Sequence, residues 1–356
     1  MARGDSRASF TCLSGAVTIA GGGLAGLSLA TGLRLRGIPA TVHEAGAYPR
    51  HRVCGEFISG VEARTLAALG IGDLFAGLPE KTSAAWFREG RRIHEDSLPV
   101  PAVGISRYRL DALLRERVVA LGGVVTEYSR QPREPREGLV WAAGRIPSKS
   151  EWIGLKCHYE DLPMSADLEM HLGRNGYAGL VGVEPASTDG KQRANVCALF
   201  RVDRSIRGSG APLLESYLRA GGNESLADRL RETSANAVSF CAVAGFALGK
   251  QRADPRLCTL GDAESMIPPF TGNGMSMAFE AAGLALDPLE SWSRGRSSWD
   301  ACVAEIRTGL HRRFRKRLAV ARALHPLLLH SSGRRLIEAL SHARLLPFRP
   351  LLSLVR

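Results

Sequence analysis

The sequence has no Cys-x-x-Cys pair, and its cysteines are scattered at positions 12, 54, 157, 197, 241, 258 and 302. Closely paired cysteines are the signature of zinc sites and, in small secreted proteins, of disulfide frameworks. An odd and dispersed set indicates neither, so we expect no metal site. It fits a reducing compartment, and we expect the protein in the cytoplasm.

Uninterrupted apolar runs of membrane length are missing as well. The stretch 8–33 carries no charge, but glycines at 21, 22, 23 and 26 break it. A spanning helix needs about 20 predominantly apolar residues, and a secretory signal needs a compact apolar run before a cleavage site of small residues. The sequence therefore predicts no targeting segment and no transmembrane helix.

Acidic residues are scarce in the last part of the chain. Residues 301–356 contain twelve Lys or Arg against Glu305 and Glu338, which gives +10 of the total charge of +12 and leaves +2 for residues 1–300. The main body is thus close to neutral, and the pI of 9.8 is poor evidence that it binds nucleic acid. We do not expect nucleic acid as a partner.

A strand, a glycine-rich turn, a helix, a second strand and an acid follow one another between residues 17 and 44. The turn reads Gly-x-Gly-x-x-Gly at Gly21, Gly23 and Gly26, and Glu44 ends the second strand. In this arrangement the first glycine permits the turn, the second admits a pyrophosphate, and the third lets helix and strand pack. The helix N-terminus attracts phosphates, and the acid accepts hydrogen bonds from the ribose hydroxyls. The unit predicts a dinucleotide cofactor and does not separate NAD from FAD.

A second strand, turn and helix lie between residues 257 and 282. They contain Gly261-Asp262 and then a loop from Pro269 to Met275 that includes Gly272, Asn273 and Gly274. With this segment the chain resembles the para-hydroxybenzoate hydroxylase and geranylgeranyl reductase superfamily of FAD enzymes. The resemblance implies that Asp262 holds the ribityl chain and that the loop lies beside the isoalloxazine. Backbone N–H groups there would stabilise negative charge on the reduced ring.

Two shorter segments extend the resemblance. The run 50–59 contains Arg52, Cys54 and Gly55 and is similar to the Cys-Gly-Glu loop near the flavin of geranylgeranyl reductase-like proteins. The run 105–114 resembles a strand-to-helix junction whose arginine, here Arg107, contacts the FAD phosphates. A planar guanidinium suits a phosphate because it makes charge-assisted, often bidentate bonds. The alternatives are a solvated cation for Arg107 and a small buried hydrophobe for Cys54, which is the one candidate for a catalytic side chain.

The chain departs from the hydroxylases at Ala143-Gly144, where those enzymes usually have Asp-Gly. The resemblance links that pair to FAD and NADPH contacts, so its loss puts hydroxylase-style nicotinamide binding in doubt. No second Gly-x-Gly-x-x-Gly follows a strand, which argues against a permanent nicotinamide domain. We expect NAD(P)H as a transient reductant. The lysine-bearing and Trp-x-Trp signatures of flavin-dependent halogenases are absent.

The middle of the chain predicts successive strands, which should form an antiparallel sheet over the reactive face of the flavin: Leu168–Leu172, Gly176–Glu184 and Ala194–Arg201. We expect an α/β fold with three parts. A Rossmann-like FAD-binding domain comprises residues 14–75, 100–150 and 245–298. An inserted antiparallel substrate domain comprises 76–99 and 151–244, and a basic helical region comprises 299–356.

The C-terminal region combines a helical apolar stripe with its cations; the stripe comprises Cys302, Val303, Ile306, Leu310, Phe314, Leu318 and Ala321. One interpretation is a helical cap with a solvated basic face. The other is peripheral contact with an anionic membrane surface, where apolar burial and cation attraction act together. The sequence leaves both open.

The resemblance implies an FAD-dependent, NAD(P)H-consuming oxidoreductase. The middle strands are similar to those of flavoproteins that modify quinones, phenolic lipids or polyketides. They favour a monooxygenase that acts on a hydrophobic aromatic polyketide, quinone or phenolic lipid. The alternative is a geranylgeranyl reductase-like enzyme that reduces C=C bonds of an isoprenoid or other lipid. A basic nucleic-acid-binding or scaffold protein that retains the fold is the non-enzymatic alternative.

Overall fold

Two large sheets, one parallel and one mostly antiparallel, organise the chain, and a third sheet has only two strands. The computed structural model describes residues 15–146, 148–184, 191–246, 248–251 and 254–355. The strands are β1 Val17–Ala20, β2 Ala40–His43, β3 Phe57–Ser59, β4 Glu80–Arg88, β5 Arg91–Gly104, β6 Val124–Thr126, β7 Leu139–Trp141, β8 Trp152–Glu160, β9 Leu168–Leu172, β10 Gly176–Val183, β11 Arg193–Arg201, β12 Ser234–Ala244, β13 Gly249–Lys250, β14 Cys258–Thr259 and β15 Ser265–Met266. The α-helices are α1 Leu24–Leu35, α2 Ala63–Leu69, α3 Arg107–Ala120, α4 Gly210–Ala220, α5 Glu224–Arg231, α6 Gly274–Ser293, α7 Trp299–Leu329, α8 Ser331–His342 and α9 Phe348–Leu354.

The parallel sheet has the strand order β14–β7–β1–β2–β6, and every neighbouring pair is parallel. Its short central strands are apolar because helices pack on them, as parallel sheets require. Residues of β1, β2, α1, α3, α6 and α7 share one buried core. The carboxyl ends of β1 and β14 therefore carry their turns to the same edge of the sheet, where ligands bind in open α/β folds.

The antiparallel sheet has the order β12–β8–β11–β10–β9–β4–β5–β3, with one parallel pair, β4 and β9. One row of cross-strand partners runs through Cys241, Lys156, Cys197, Gly179, Met170 and Trp86. Directly opposite residues share a face, so this row lies on one side of the sheet. The opposite side of β8, β10 and β11 is covered by α4 and α5.

The C-terminal region is packed onto the rest of the molecule. The predicted apolar stripe of α7 is largely buried in the main core. Arg317 is buried too and bonds with Glu280 of α6 at 3.0 Å, so part of the basic face is inside the protein. Phe348 of α9 packs edge-on against Trp86, with ring centroids 5.7 Å apart. Within the described ranges, no helix is long and apolar enough to cross a bilayer.

The predicted architecture is confirmed: an α/β fold with a parallel sheet, an inserted antiparallel sheet and C-terminal helices. The strands expected from the middle of the chain are β9, β10 and β11, and they pair antiparallel. The predicted domain segments remain a prediction. One strand crosses a predicted boundary, because β5 extends past residue 100. In addition, β3 lies within 14–75 but pairs with β5 in the antiparallel sheet.

Candidate functional site

A cavity of about 940 Å³ has walls formed by both sheets and by α9. This volume is at the upper end of the range typical of small-molecule and cofactor sites. Its walls include the glycine-rich turn after β1 and the loop before α6. They also include apolar side chains of the antiparallel sheet and of α9, and we call this apolar part of the wall the chamber. The two predicted cofactor segments and the chamber therefore border one cavity.

The glycine-rich turn is closely packed at two of its glycines and open at the third. Gly21 has φ +108°, and a Cβ there would lie 2.4 Å from the carbonyl oxygen of Ala142. A Cβ on Gly26 would lie 2.0 Å from the carbonyl oxygen of Gly21, so this glycine serves the packing of α1 on β1. Gly23 differs, because the nearest atom to its Cβ position is an Arg107 nitrogen at 3.7 Å. Its open side faces the cavity at the N-terminus of α1.

Glu44 is buried at the end of β2, where the sequence predicts a ribose contact. Its carboxylate accepts hydrogen bonds from the Gly22 amide at 2.8 Å and from Arg50 at 2.6 Å. Arg52 lies 3.4 Å away. Burial alone would raise the pKa of Glu44, but the two arginines and the amides outweigh it and lower the pKa. A ribose hydroxyl would share this carboxylate with Arg50 or displace it.

Arg107 begins α3 and is held by a bidentate pair with Asp111, at 2.7 Å and 2.8 Å. Asp111 also accepts from Arg52 at 2.9 Å. Burial disfavours the Arg107 cation, but Asp111 outweighs it and raises the pKa of the guanidinium. The helix is capped by the Ser106 hydroxyl, which accepts from the Arg109 amide. Arg107 is thus fixed beside Gly23, at the N-terminus of α1.

The Gly261-Asp262 turn and the loop from Pro269 to Met275 line the same cavity as the turn after β1. Gly261 adjoins the start of α1, because a Cβ on it would lie 3.1 Å from the Cβ of Ala25. The Asp262 side chain is exposed to the cavity. The surrounding protein withdraws it from bulk water and raises its pKa, and Arg107 and Arg145 oppose that shift. No side-chain hydrogen bond caps the N-terminus of α6, so its amides are open to a ligand.

The Cys54-Gly55-Glu56 segment forms part of the cavity wall. Burial raises the pKa of the Cys54 thiol, which therefore stays protonated. The backbone carbonyl oxygen of Cys54 accepts a hydrogen bond from the Asn195 side-chain amide at 2.9 Å, which connects the segment to β11. Glu56 adopts a left-handed conformation with φ +55° and is completely buried. The position favours Cys54 as part of the wall rather than as a thiolate nucleophile.

The apolar chamber is lined by residues from β4, β9, β10, α9 and the loop after β12: Trp86, Leu168, Met170, Tyr177, Val181, Phe246, Phe348 and Leu352. The hydroxyl of Tyr177 lies 3.3 Å from Nε2 of His325 on α7. The His325 ring stacks on Phe270, with centroids 5.8 Å apart and planes 3° apart. Through these contacts the C-terminal region supports the loop before α6.

The structure brings thirteen of the predicted cofactor residues to the cavity: Gly21, Gly23, Glu44, Arg52, Cys54, Gly55, Arg107, Gly261, Asp262, Pro269, Gly272, Gly274 and Met275. Gly26 and Asn273 lie outside it. The backbone N–H of Asn273 donates a hydrogen bond to the Thr271 hydroxyl at 3.3 Å. His51 and Glu56 lie within the run 50–59, but the resemblance assigned no role to either of them. No motif pointed to Lys156 or placed the α9 side chains at the site. In the described part of the chain, no cluster of three or more His, Cys, Asp or Glu could hold a metal ion.

Comparisons with known proteins identify the fold. No family model and no curated protein matches the chain. Among solved structures, PqsL of P. aeruginosa in complex with 2-aminobenzoylacetate is 17% identical with a TM-score of 0.70, covering 90% of this chain and 98% of its own. The brominase Bmp2 is 16% identical with a TM-score of 0.69, covering 94% and 92%. An HpxO variant of Klebsiella pneumoniae complexed with FAD is 17% identical with a TM-score of 0.68, covering 92% and 93%. The chain thus has the fold of these FAD-dependent monooxygenases and flavin-dependent halogenases.

Proposed function

We propose that the chain is an FAD-dependent, NAD(P)H-consuming monooxygenase that acts on a hydrophobic aromatic compound, such as a polyketide, quinone or phenolic lipid. One observation carries the proposal. A single cavity connects the phosphate-type turn at Gly23 with the chamber around Trp86 and Met170. A cofactor bound along the first part would present its reactive end to a substrate in the second part.

The residues at the cofactor end fit FAD. The pyrophosphate would lie on the open side of Gly23 and receive hydrogen bonds from the backbone amides of α1, while Arg107 would neutralise its charge. The Asp262 carboxylate would accept hydrogen bonds from the ribityl hydroxyls. Bound FAD, once reduced by NAD(P)H, supplies either activated oxygen or a hydride. The chain supplies binding, orientation and exclusion of water. The N-terminus of α6 would stabilise negative charge on the ring.

The compared structures support an aromatic substrate. The PqsL structure contains 2-aminobenzoylacetate, and the HpxO structure contains FAD. In the present chain, Trp86 and Phe348 form an aromatic corner of the chamber, with their planes at 89°. Such edge-to-face pairs offer ring faces and edges that complement an aromatic ligand.

Reduction of C=C bonds in an isoprenoid or other lipid is the second candidate. The Cys54-Gly55-Glu56 segment favours it, because this segment lies in the cavity wall as the resemblance to geranylgeranyl reductases implies. Ala143 also lines the cavity at the position where the hydroxylases have an aspartate. Both candidates use the same FAD site and differ in what the reduced cofactor delivers.

The test begins with the purified full chain, from which non-covalent FAD should be released by denaturation. FMN, no flavin, or flavin that stays attached would contradict the proposed cofactor. The flavin is then reduced with NADH or NADPH without oxygen in the presence of aromatic and isoprenoid compounds. Incorporation of ¹⁸O from labelled O₂ into an aromatic product supports monooxygenation. A saturated product formed without O₂ supports the second candidate.

The chamber itself can be tested with a matched pair of variants. Leu352→Trp places a large side chain in the cavity wall, whereas Leu354→Trp on the same helix is 56% exposed. We expect the first to raise KM for a hydrophobic substrate at least tenfold without loss of FAD. The second should leave KM unchanged. Equal KM values in both variants would contradict the assignment of the chamber.

We also propose that the C-terminal region makes peripheral contact with an anionic membrane. Its exposed leucines alternate along the chain with exposed cations, and the set comprises Leu327, Arg335, Leu336, Arg344, Leu345, Arg349 and Leu354. Apolar insertion and cation attraction add on an anionic surface. Such contact would bring a lipid-like substrate close to α9, which borders the chamber.

A further inference from the structure

A cluster of buried ionisable side chains lies behind the Cys54-Gly55 wall. Lys156 and His158 project from β8, and neither has any exposed surface. The Lys156 Nζ lies 3.3 Å from one oxygen of Glu56, and the His158 Nε2 lies 2.6 Å from the other. The backbone N–H of Arg107 donates to the first oxygen at 2.9 Å. Glu56 is thus bonded on both oxygens, as a buried carboxylate must be.

His51 connects this cluster to the cavity. Its Nδ1 lies 3.2 Å from Nζ of Lys156, and its ring lies in the cavity wall. A lysine ammonium has only N–H donors, so Nδ1 accepts the bond. The neutral ring must then carry its proton on Nε2, on the side of the ring away from Lys156. The contact therefore fixes one tautomer of His51.

The surroundings of His51 keep it neutral. The pKa of His51 is lowered to about 4. Burial is the largest cause of this shift, and the positive charge of Lys156 is the second largest. The other groups that face it are His158, edge-on at 5.2 Å, Arg193, Glu56 and the stacked ring of Tyr108 at 4.5 Å. Glu56 alone among them favours the imidazolium. At neutral pH, His51 is a hydrogen-bond donor with a cation directly behind it.

The partners of Lys156 on the neighbouring strands make it the cation of the cluster. Cys197 and Cys241 lie opposite it on β11 and β12. Burial raises the pKa of both thiols, so they stay uncharged. The positive charge of Lys156 is balanced by Glu56, and a further N–H points to His51. Lys156 can therefore return a proton to Nδ1 when Nε2 loses one.

We propose that His51 is the proton donor of this cavity, with Lys156 as the proton relay behind it and Glu56 as a positioning residue. The His51 Nε2–H bond breaks, and its proton goes to an anionic acceptor formed during turnover. At the same time Nδ1 takes a proton from the Lys156 ammonium, which becomes an amine. The cycle closes in reverse, because Nε2 takes a proton from solvent in the cavity and Nδ1 returns its proton to the Lys156 amine, so the buried lysine needs no contact with water. The inference rests on the proposed function, and it serves both candidates, since oxygen insertion and C=C reduction each require a proton.

The first test measures the ring directly in the full-length protein and requires no turnover. With ¹⁵N-labelled histidine, the His51 signals should show the Nε2–H tautomer and a ring still neutral at pH 5.5, below the ordinary pKa of 6.5. His51→Gln assigns the signals, and exposed His330→Gln is the matched control. Lys156→Met should raise the pKa of His51. If that variant does not fold, the Lys156→Met/Glu56→Gln double variant replaces it. An Nδ1–H tautomer or an ordinary pKa would overturn the proposal.

The second test measures turnover. His51→Gln should lower kcat on the order of 10²-fold, the size expected for a positioned general acid, with KM and FAD content unchanged. Added imidazole should restore part of kcat, which a merely structural role would not produce. A wild-type kcat in His51→Gln would overturn the proposal. A wild-type protein without FAD or turnover would instead overturn the proposed function, and the tautomer measurement would still stand as a separate result.

Discussion

The Lys156 ammonium lies 3.3 Å from the Glu56 carboxylate, and neither side chain has exposed surface. The pair joins the antiparallel sheet to the segment that leads into β3. When one partner of a buried ion pair is removed, an uncompensated charge remains. Lys156→Met should therefore lower the free energy of unfolding by about 3–5 kcal/mol. In urea unfolding, the double variant Lys156→Met/Glu56→Gln should lose clearly less free energy of unfolding than the sum of the losses in the two single variants. Additive losses would contradict the pairing.

The cofactor unit could be predicted because its signals are local. The strand at Val17–Ala20, the glycine turn and the helix lie within about twenty residues, and the structure has them where the sequence places them. The same holds for the Gly261-Asp262 turn before α6. Short-range patterns of this kind report backbone geometry, which neighbouring residues determine.

The Lys156–Glu56 pair could not be predicted, because 100 residues separate its members. Lys156 and His158 alternate with Cys157 and Tyr159, a pattern that reads as a solvent-facing side of a strand. In the structure both sides of β8 are covered. The bonds from Arg50 and Arg52 to Glu44 were missed for a related reason, since side-chain partners leave no periodic signal. The packing of α9 on the chamber is likewise a long-range contact.

The glycine turn gives a direct test of cofactor binding. Gly23→Ala should fold normally, because its φ of −91° suits alanine and the nearest atom lies 3.7 Å from the added Cβ. The methyl group would occupy the open side that faces the pyrophosphate, so we expect FAD affinity to fall at least tenfold. Gly26→Ala should instead destabilise the fold, since its Cβ would meet the Gly21 carbonyl. FAD titration and thermal unfolding distinguish the two. Unchanged affinity in a folded Gly23→Ala would contradict the placement of the cofactor.

Arg107 and Arg109 lie in the first turn of α3 and form a matched pair. Arg107 is fixed by Asp111 beside Gly23, whereas the Arg109 side chain is exposed. Arg107→Ala removes a charge-assisted phosphate bond and should weaken FAD by about 1.5–3 kcal/mol, roughly ten- to a hundredfold in Kd. Arg109→Ala should leave Kd unchanged. Equal Kd values for the two variants, measured by flavin fluorescence, would exclude a phosphate contact at Arg107.

Glu169 provides a test of the electrostatics on the side of the sheet away from the cavity. Burial would raise the pKa of this carboxyl, but bonds from His171 and Arg229 outweigh it and lower the pKa to about 2. A pKa below the unfolded value stabilises the fold above that value, and the contribution is lost as pH falls. Glu169→Gln should lower the free energy of unfolding at pH 7 by about 1.5–3 kcal/mol. In urea unfolding, the difference in free energy of unfolding between this variant and wild type should become smaller as the pH falls below 4.5. A gap that does not change between pH 7 and pH 4 would contradict the shift.

The structure restricts which cations of the C-terminal region can serve a membrane. Arg313 and Arg317 bind Glu280, so replacing them would disturb the packing of α7 on α6. Arg344 and Arg349 are exposed beside α9 and leave the core untouched. They are the appropriate residues for a test of surface charge.

The last prediction compares loss of charge at two places on the molecule. Arg344→Gln with Arg349→Gln should weaken binding to anionic vesicles by about 2 kcal/mol, at about 1 kcal/mol per cation, which is roughly thirtyfold in Kd. Arg204→Gln with Arg207→Gln removes the same charge from an exposed loop of the substrate region and should have little effect. Sedimentation with neutral and anionic vesicles at low and high salt measures both. Binding should require anionic lipid and weaken with salt, because the attraction is screened. Equal recovery in the supernatant with every vesicle would exclude the membrane contact. The C-terminal helices would then have only their structural roles, in which α7 packs on the main core and α9 borders the chamber.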